Sequence, residues 1–217
     1  LTPISTGAAA HRTLNAAILN GLLEVIERDA FMITWVNRIS PAMIDLESIS
    51  DEEIKIILEK AKRYDLEIYF LSLPSDIPVH VILAVTIDRT GGGAAVTVGA
   101  CAHFNIKNAI LGAAGEAISG RTWTHLNVDK KRQAGASLKL DISWLDQSGR
   151  LAWWYPHERI QDIMFLLRGE KKKIDQLPQY EYDGGGNTRI ALERLVRVLN
   201  KKNLEVFYSE TLSEEMK

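Results

Sequence analysis

Residues 14–37 carry apolar side chains at helical spacing on nearly every side: Ile18, Leu19, Leu22, Leu23, Val25, Ile26, Phe31, Ile33 and Val36. Such a segment is expected to be a largely buried α-helix. Its middle, Asn20-Gly21-Leu22-Leu23-Glu24-Val25-Ile26-Glu27-Arg28-Asp29, nonetheless holds four ionisable side chains. Buried charge is costly unless it is paired or binds a metal. Asn20, Glu24, Glu27 and Arg28 fall at i, i+4, i+7 and i+8, one stripe of a helix. Two carboxylates, an amide and a guanidinium on one stripe describe a site for a polar ligand. The structural alternative is an i, i+4 salt bridge between Glu24 and Arg28, with Glu27 capping a neighbouring loop.

A second segment favours the site. Residues 105–123 are rich in small side chains: Ala109, Gly112, Ala113, Ala114, Gly115, Ala117 and Gly120. Each glycine costs a helix about 1 kcal/mol against alanine, so a close approach by a packed element or a ligand is expected there. Asn108, Gly112 and Glu116 form one stripe, and Glu116 is its acid. The alternative is a close-packed helix with one acid in solvent. Each helix follows a small-residue run ending in a histidine, residues 5–11 with His11 and residues 96–103 with His103. Both runs are expected to be extended. Either histidine stands near the ligand or caps the helix entry.

The rest reads as mixed elements. Residues 51–64 are expected to be a helix capped by Ser50, with Ile54, Ile57, Leu58 and Ala61 as its core stripe. Residues 66–73, 79–87 and 94–101 read as strands, with Gly91-Gly92-Gly93 as a hairpin turn rather than a phosphate loop, since no Gly-Lys-Ser/Thr follows. Residues 157–168 and 188–202 read as helices, residues 204–208 as a strand, and Lys171-Lys172-Lys173 and Gly184-Gly185-Gly186 as the ends of a loop. The fold class expected is α+β, with helices packed on mixed or antiparallel sheets. At 217 residues and 46% apolar content, the chain can bury a sizeable core as one domain, residues 1–217. A net charge of −2 gives no pull toward nucleic acid. No apolar run is long enough to span a bilayer, and no secretory signal is visible. No Cys or His cluster has zinc spacing. The lone Cys101 excludes an internal disulfide, is read as an inert buried thiol, and fits a cytoplasmic protein.

Ser5-Thr6-Gly7-Ala8-Ala9, followed by residues 17–31 with Asn20, Glu24, Glu27 and Arg28, resembles the first ATP-binding motif of the YcaO family. Residues 109–121, an Ala-rich helix with Glu116 and Arg121, resemble its second. Gly99-Ala100-Cys101-Ala102 resembles the family's small-residue strand, and residues 146–169 and 189–211 its later regions. The resemblance implies ATP and Mg²⁺ as cofactors, with the nucleotide between the two acid-bearing helices. It implies Glu24, Glu27 and Glu116 as metal-binding carboxylates, and Asn20, Arg28 and Arg121 as further nucleotide-site residues. Arg28 and Arg121 either contact phosphate or brace the acids. The implied activity is phosphorylation of peptide amide oxygens. Azoline-forming cyclodehydration of Cys, Ser or Thr in a ribosomal peptide comes first; thioamide or amidine formation, or a nucleotide-binding scaffold subunit, are the alternatives. Implied partners are a peptide or protein substrate, a leader-peptide-binding protein and a second copy of the chain, with neither nucleic acid nor membrane. Ser119 stands where the second motif often has Gln, and Gly112 where some members have Asn. The chain opens on Leu1 and lacks the proline-rich tail of azoline-forming members, so it is expected to be a core truncated at both ends.

Overall fold

The computed structural model describes residues 5–133, 153–180 and 186–210. The first part of the 146–169 region, Gly184, Gly185 and Thr211 lie outside the described residues. By its contacts the chain divides into two units, Ile26–Tyr180 and Leu1–Val25 with Glu181–Lys217.

The larger unit is built on one five-stranded sheet. Its strands are β1 (Ala42–Ile44), β2 (Leu66–Ser72), β3 (His80–Asp88), β4 (Val96–His103) and β5 (Lys171–Lys172), in the order β4-β3-β2-β1-β5. All neighbours are antiparallel except β1 and β5, which run parallel. The mixed sheet expected from the sequence is therefore present. All nine residues of β3 are buried. A strand that is apolar without alternation is one covered on both faces. One of its faces lies against α3 (Ile106–Gln133), and α2 (Glu52–Arg63) packs beside it on β2. Ile54 and Ala61 of α2, Ile68 and Phe70 of β2, Ile82 and Ala84 of β3, and Ala109, Ala113 and Ala117 of α3 share that core. Each of the larger side chains contributes about 1.5–3 kcal/mol by leaving water.

Alanines at i, i+4 and i+8 let α3 lie close on the sheet. The closest approach is made by the strand, at Gly99. A β-carbon there would collide with the Ala117 backbone nitrogen, the Ala113 carbonyl oxygen and the Glu116 β-carbon. The helix glycines are less used than expected. Gly112 meets Cys101, but Gly115 and Gly120 have nothing within 4 Å. Thr97 donates its hydroxyl to the Ala117 carbonyl at 3.0 Å and sits 2.5 Å from the Thr86 hydroxyl, a further tie between helix and sheet. Lys107 links the start of α3 to Asp51 at 2.9 Å and Glu53 at 2.5 Å.

Several sequence expectations are corrected. Asp51, not Ser50, caps α2: its carboxylate accepts the backbone N–H groups of Glu53 and Ile54. Acid and hydroxyl are equivalent caps by type, and the fold selects between them. Helix α3 runs to Gln133, past the small-residue segment 105–123. Residues 157–168 form short 3₁₀ and α turns, broken at Leu167, rather than one helix. Lys171 and Lys172 form the edge strand β5 on Met43 and Ile44. Residues 204–208 form no strand. Of the two small-residue runs, only residues 96–103 become a strand. The glycine turn is as expected: it joins the antiparallel β3 and β4, and Gly91 takes φ +81, where other residues are strained.

Helix α1 (Leu14–Val36) is buried along one line, Ala16, Leu19, Leu23, Ile26, Ala30 and Thr34. It is not buried on nearly every side. Val25, Met32, Ile33 and Val36 are exposed. From Ile26 onward it belongs to the larger unit, where Trp35 meets Trp154 and Phe165 edge to face. In the smaller unit, α4 (Thr188–Lys201) is capped by Asn187 and buries Ala191, Leu195 and Leu199.

Candidate functional site

Glu27 borders the buried line of α1 and is only 8% exposed. Arg28 follows it, with its side chain 45% exposed. The guanidinium pairs with Glu27 at 3.6 Å and with Glu116 of α3 at 3.9 Å. Acids from the two expected helices therefore meet at one cation. The Glu24–Arg28 salt bridge offered as the structural alternative is replaced by these two pairs.

Glu116 is anchored from its other side. Its second carboxylate oxygen accepts the Ala100 backbone N–H at 2.7 Å. Strand β4 is the edge of the sheet, and an edge strand leaves alternate N–H groups unpaired. A carboxylate accepting one of them makes a charge-assisted bond that fixes the acid's position. Glu116 is thus held rather than pointing freely to solvent, though its side chain is 50% exposed.

Cys101 is half-buried rather than buried, and lies beside both acids. Burial raises its thiol to about 11, and the charges of Glu27 and Glu116 push in the same direction. A thiol held protonated is a poor nucleophile, in keeping with the inert reading. A β-carbon on Gly112 would stand 2.5 Å from the Cys101 sulfur. The sulfur therefore fills the space that a side chain at 112 would need.

Arg121 does not turn toward these acids. It forms a short ion pair with Asp88, at the end of β3. Asp88 is 1% exposed and also accepts the Thr90 backbone N–H at 2.8 Å and hydroxyl at 2.6 Å. Burial acts to raise its pKa, but the bonds from Thr90 and the Arg121 guanidinium prevail and hold it below the ordinary value of 3.8. A β-carbon at Gly93 would meet Arg121. Arg121 thus ties α3 to the turn between β3 and β4. Sequence reasoning missed Asp88. Its signal is an acid closing an otherwise apolar strand, just before the glycine turn.

Glu24 is half-buried and Asn20 exposed, each on α1 ahead of Glu27. His11 is exposed. His103 acts at the helix entry: its Nδ1 accepts the Asn105 N–H at 2.9 Å, and the Asn105 side chain in turn accepts the Asn108 N–H. Among the described residues, no group of three or more His, Cys, Asp or Glu side chains is gathered to hold a metal ion. No described helix is long and apolar enough to cross a membrane.

The fold is shared with solved heterocyclases. A heterocyclase in complex with substrate and cofactor superposes with a TM-score of 0.71 at 24% identity, over 92% of this chain and 25% of that one. The YcaO protein of Methanopyrus kandleri, bound with AMPPCP and Mg²⁺, superposes with a TM-score of 0.66 at 21% identity, over 93% and 48%. The model of the family described as YcaO cyclodehydratase, ATP- and Mg²⁺-binding, matches residues 1–216. The chain belongs to the YcaO family. An uncharacterised Rhizobium leguminosarum bv. trifolii protein in the tfuA 3′ region is 30% identical over 126 residues, 54% of this chain and 30% of that protein. The chain spans about a third of the length of the curated relatives it matches.

Proposed function

We propose that the protein modifies peptide backbone amides with ATP and Mg²⁺, by azoline-forming cyclodehydration of Cys, Ser or Thr side chains. The observation that carries this reading is the meeting of Glu27 and Glu116, one from each family motif, at Arg28. In this reading Glu27 and Glu116 are the Mg²⁺ carboxylates, and Arg28 a further nucleotide-site residue. Glu27 offers a largely desolvated oxygen donor, where the pull on a cation is strong. Glu116 offers one oxygen while the Ala100 N–H holds the other. Arg28 keeps the two acids from repelling each other. Arg121 acts through position: with Asp88 it fixes the helix that carries Glu116. When bound, Mg²⁺–ATP would supply a phosphoryl group that turns an amide oxygen into a leaving group. Residues 1–217 are proposed to be the family's core domain. A peptide or protein is the proposed substrate, with a leader-peptide-binding protein and a second copy of the chain as proposed partners.

The test is phosphate release from Mg²⁺–ATP in the presence of a Cys-, Ser- or Thr-containing peptide, with the peptide's mass followed in parallel. Release coupled to loss of water from the peptide is expected. Glu27→Gln should lower it by about 100-fold or more, since even outer-shell changes at metal sites cost 10–100-fold. Replacement of oxygen by sulfur in the peptide would assign thioamide formation instead. Nucleotide binding without release under any condition would contradict an enzyme and leave a scaffold subunit.

A further inference from the structure

The three charged groups at the acid site are not held alike. Glu27 is fixed by burial, at 8% exposure. Glu116 is fixed through the Ala100 N–H. Arg28 is nearly half exposed, and its contacts at 3.6 and 3.9 Å lie beyond hydrogen-bond length. It is therefore the loosely held member, set between two anchored carboxylates. We propose that Arg28 is a placeholder cation that a divalent ion displaces from between Glu27 and Glu116. This rests on the metal-site reading of those two acids.

The argument is one of competition. A metal ion bound by both carboxylates needs oxygen lone pairs on the side that Arg28 faces. The guanidinium and a dication cannot share that space at contact distance without strong mutual repulsion. The anchored acids have little freedom to turn away. Arg28 can leave for solvent at small cost, because its stem and head already reach water. Once displaced, it remains next to the bound metal and is free to take up an anion, such as a phosphate oxygen carried by the nucleotide. The site would thus keep its two acids anchored about one cation. It would bind bare metal weakly, and bind metal better when a phosphate is present to receive the arginine.

Mn²⁺, an oxygen-seeking stand-in for Mg²⁺ that can be followed by electron paramagnetic resonance, tests this without activity as the readout. In nucleotide-free buffer, Arg28→Gln is expected to bind Mn²⁺ about fivefold more tightly than the wild type, the size of one partly exposed ion pair. It should also be thermally less stable without metal, and regain more on Mn²⁺ addition than the wild type does. Arg28→Lys keeps the charge and should bind Mn²⁺ close to the wild-type affinity, which also serves if Arg28→Gln does not fold. Equal or weaker Mn²⁺ binding by Arg28→Gln, with binding still lost in Glu27→Gln, would overturn the placeholder role alone. Wild-type Mn²⁺ binding that survives in both Glu27→Gln and Glu116→Gln would overturn the metal-site reading and this inference together.

Discussion

Gly99→Ala is expected to destabilise the larger unit by about 3 kcal/mol or more, the upper end for overpacking. Most small-to-large changes push against side chains that can rotate aside. Here the added methyl group runs into the backbone of α3 at Ala113 and Ala117, and into the stem of Glu116. Relief requires α3 to lift from β4. That would also open the Thr97–Ala117 bond and pull Glu116 off the Ala100 N–H. The loss should appear as a lower urea midpoint, and in any variant that still folds as weaker metal-dependent nucleotide binding. Gly115→Ala is the matched control. Nothing lies within 4 Å of its β-carbon position, and the helix gains about 1 kcal/mol from the exchange. Equal stability of the two variants would mean that α3 does not lie on Gly99.

Arg121→Met should cost about 2–3 kcal/mol. Breaking a buried ion pair costs about 3–5 kcal/mol, reduced here because Arg121 is partly exposed and Asp88 keeps its bonds to Thr90. The penalty falls on Asp88, which stays buried with its guanidinium gone. The sign with pH follows from its lowered pKa. A carboxyl held below 3.8 contributes stability that is present above that value and lost as pH falls through the folded value. The gap between wild type and Arg121→Met should therefore be widest near neutral pH and close as acid protonates Asp88. A variant of wild-type stability that has lost nucleotide binding would instead make Arg121 a direct phosphate contact.

The pattern of legibility follows from the range of the interactions. Periodicity over residues 14–37 and 51–64 located α1 and α2 because helical spacing is a local property. The β3–β4 hairpin was legible because Gly91-Gly92-Gly93 lies between two apolar runs. The acids of both helices were legible because charge inside an apolar pattern stands out. Their tertiary partners were not. That Arg28 turns to Glu27 and Glu116, and Arg121 to Asp88, depends on how α1, α3 and the end of β3 come together. The strand expected at residues 204–208 failed for a related reason: β-branched and aromatic content favours a strand only where a partner strand is at hand. The converse holds for Lys171 and Lys172, two charged residues made a strand by Met43 and Ile44. The burial of α1 was overestimated because composition gives the amount of apolar surface and not which side is covered.

The most direct test is calorimetric titration with ATP, with and without Mg²⁺, of the wild-type protein, Glu27→Ala and Glu116→Ala. The account predicts Mg²⁺-dependent binding by the wild type that is lost in each variant while both remain folded. One nucleotide site would then need an acid from each of the two helices. Undiminished Mg²⁺-dependent binding by both folded variants would contradict the account and leave Glu27, Arg28 and Glu116 as a structural ion-pair cluster.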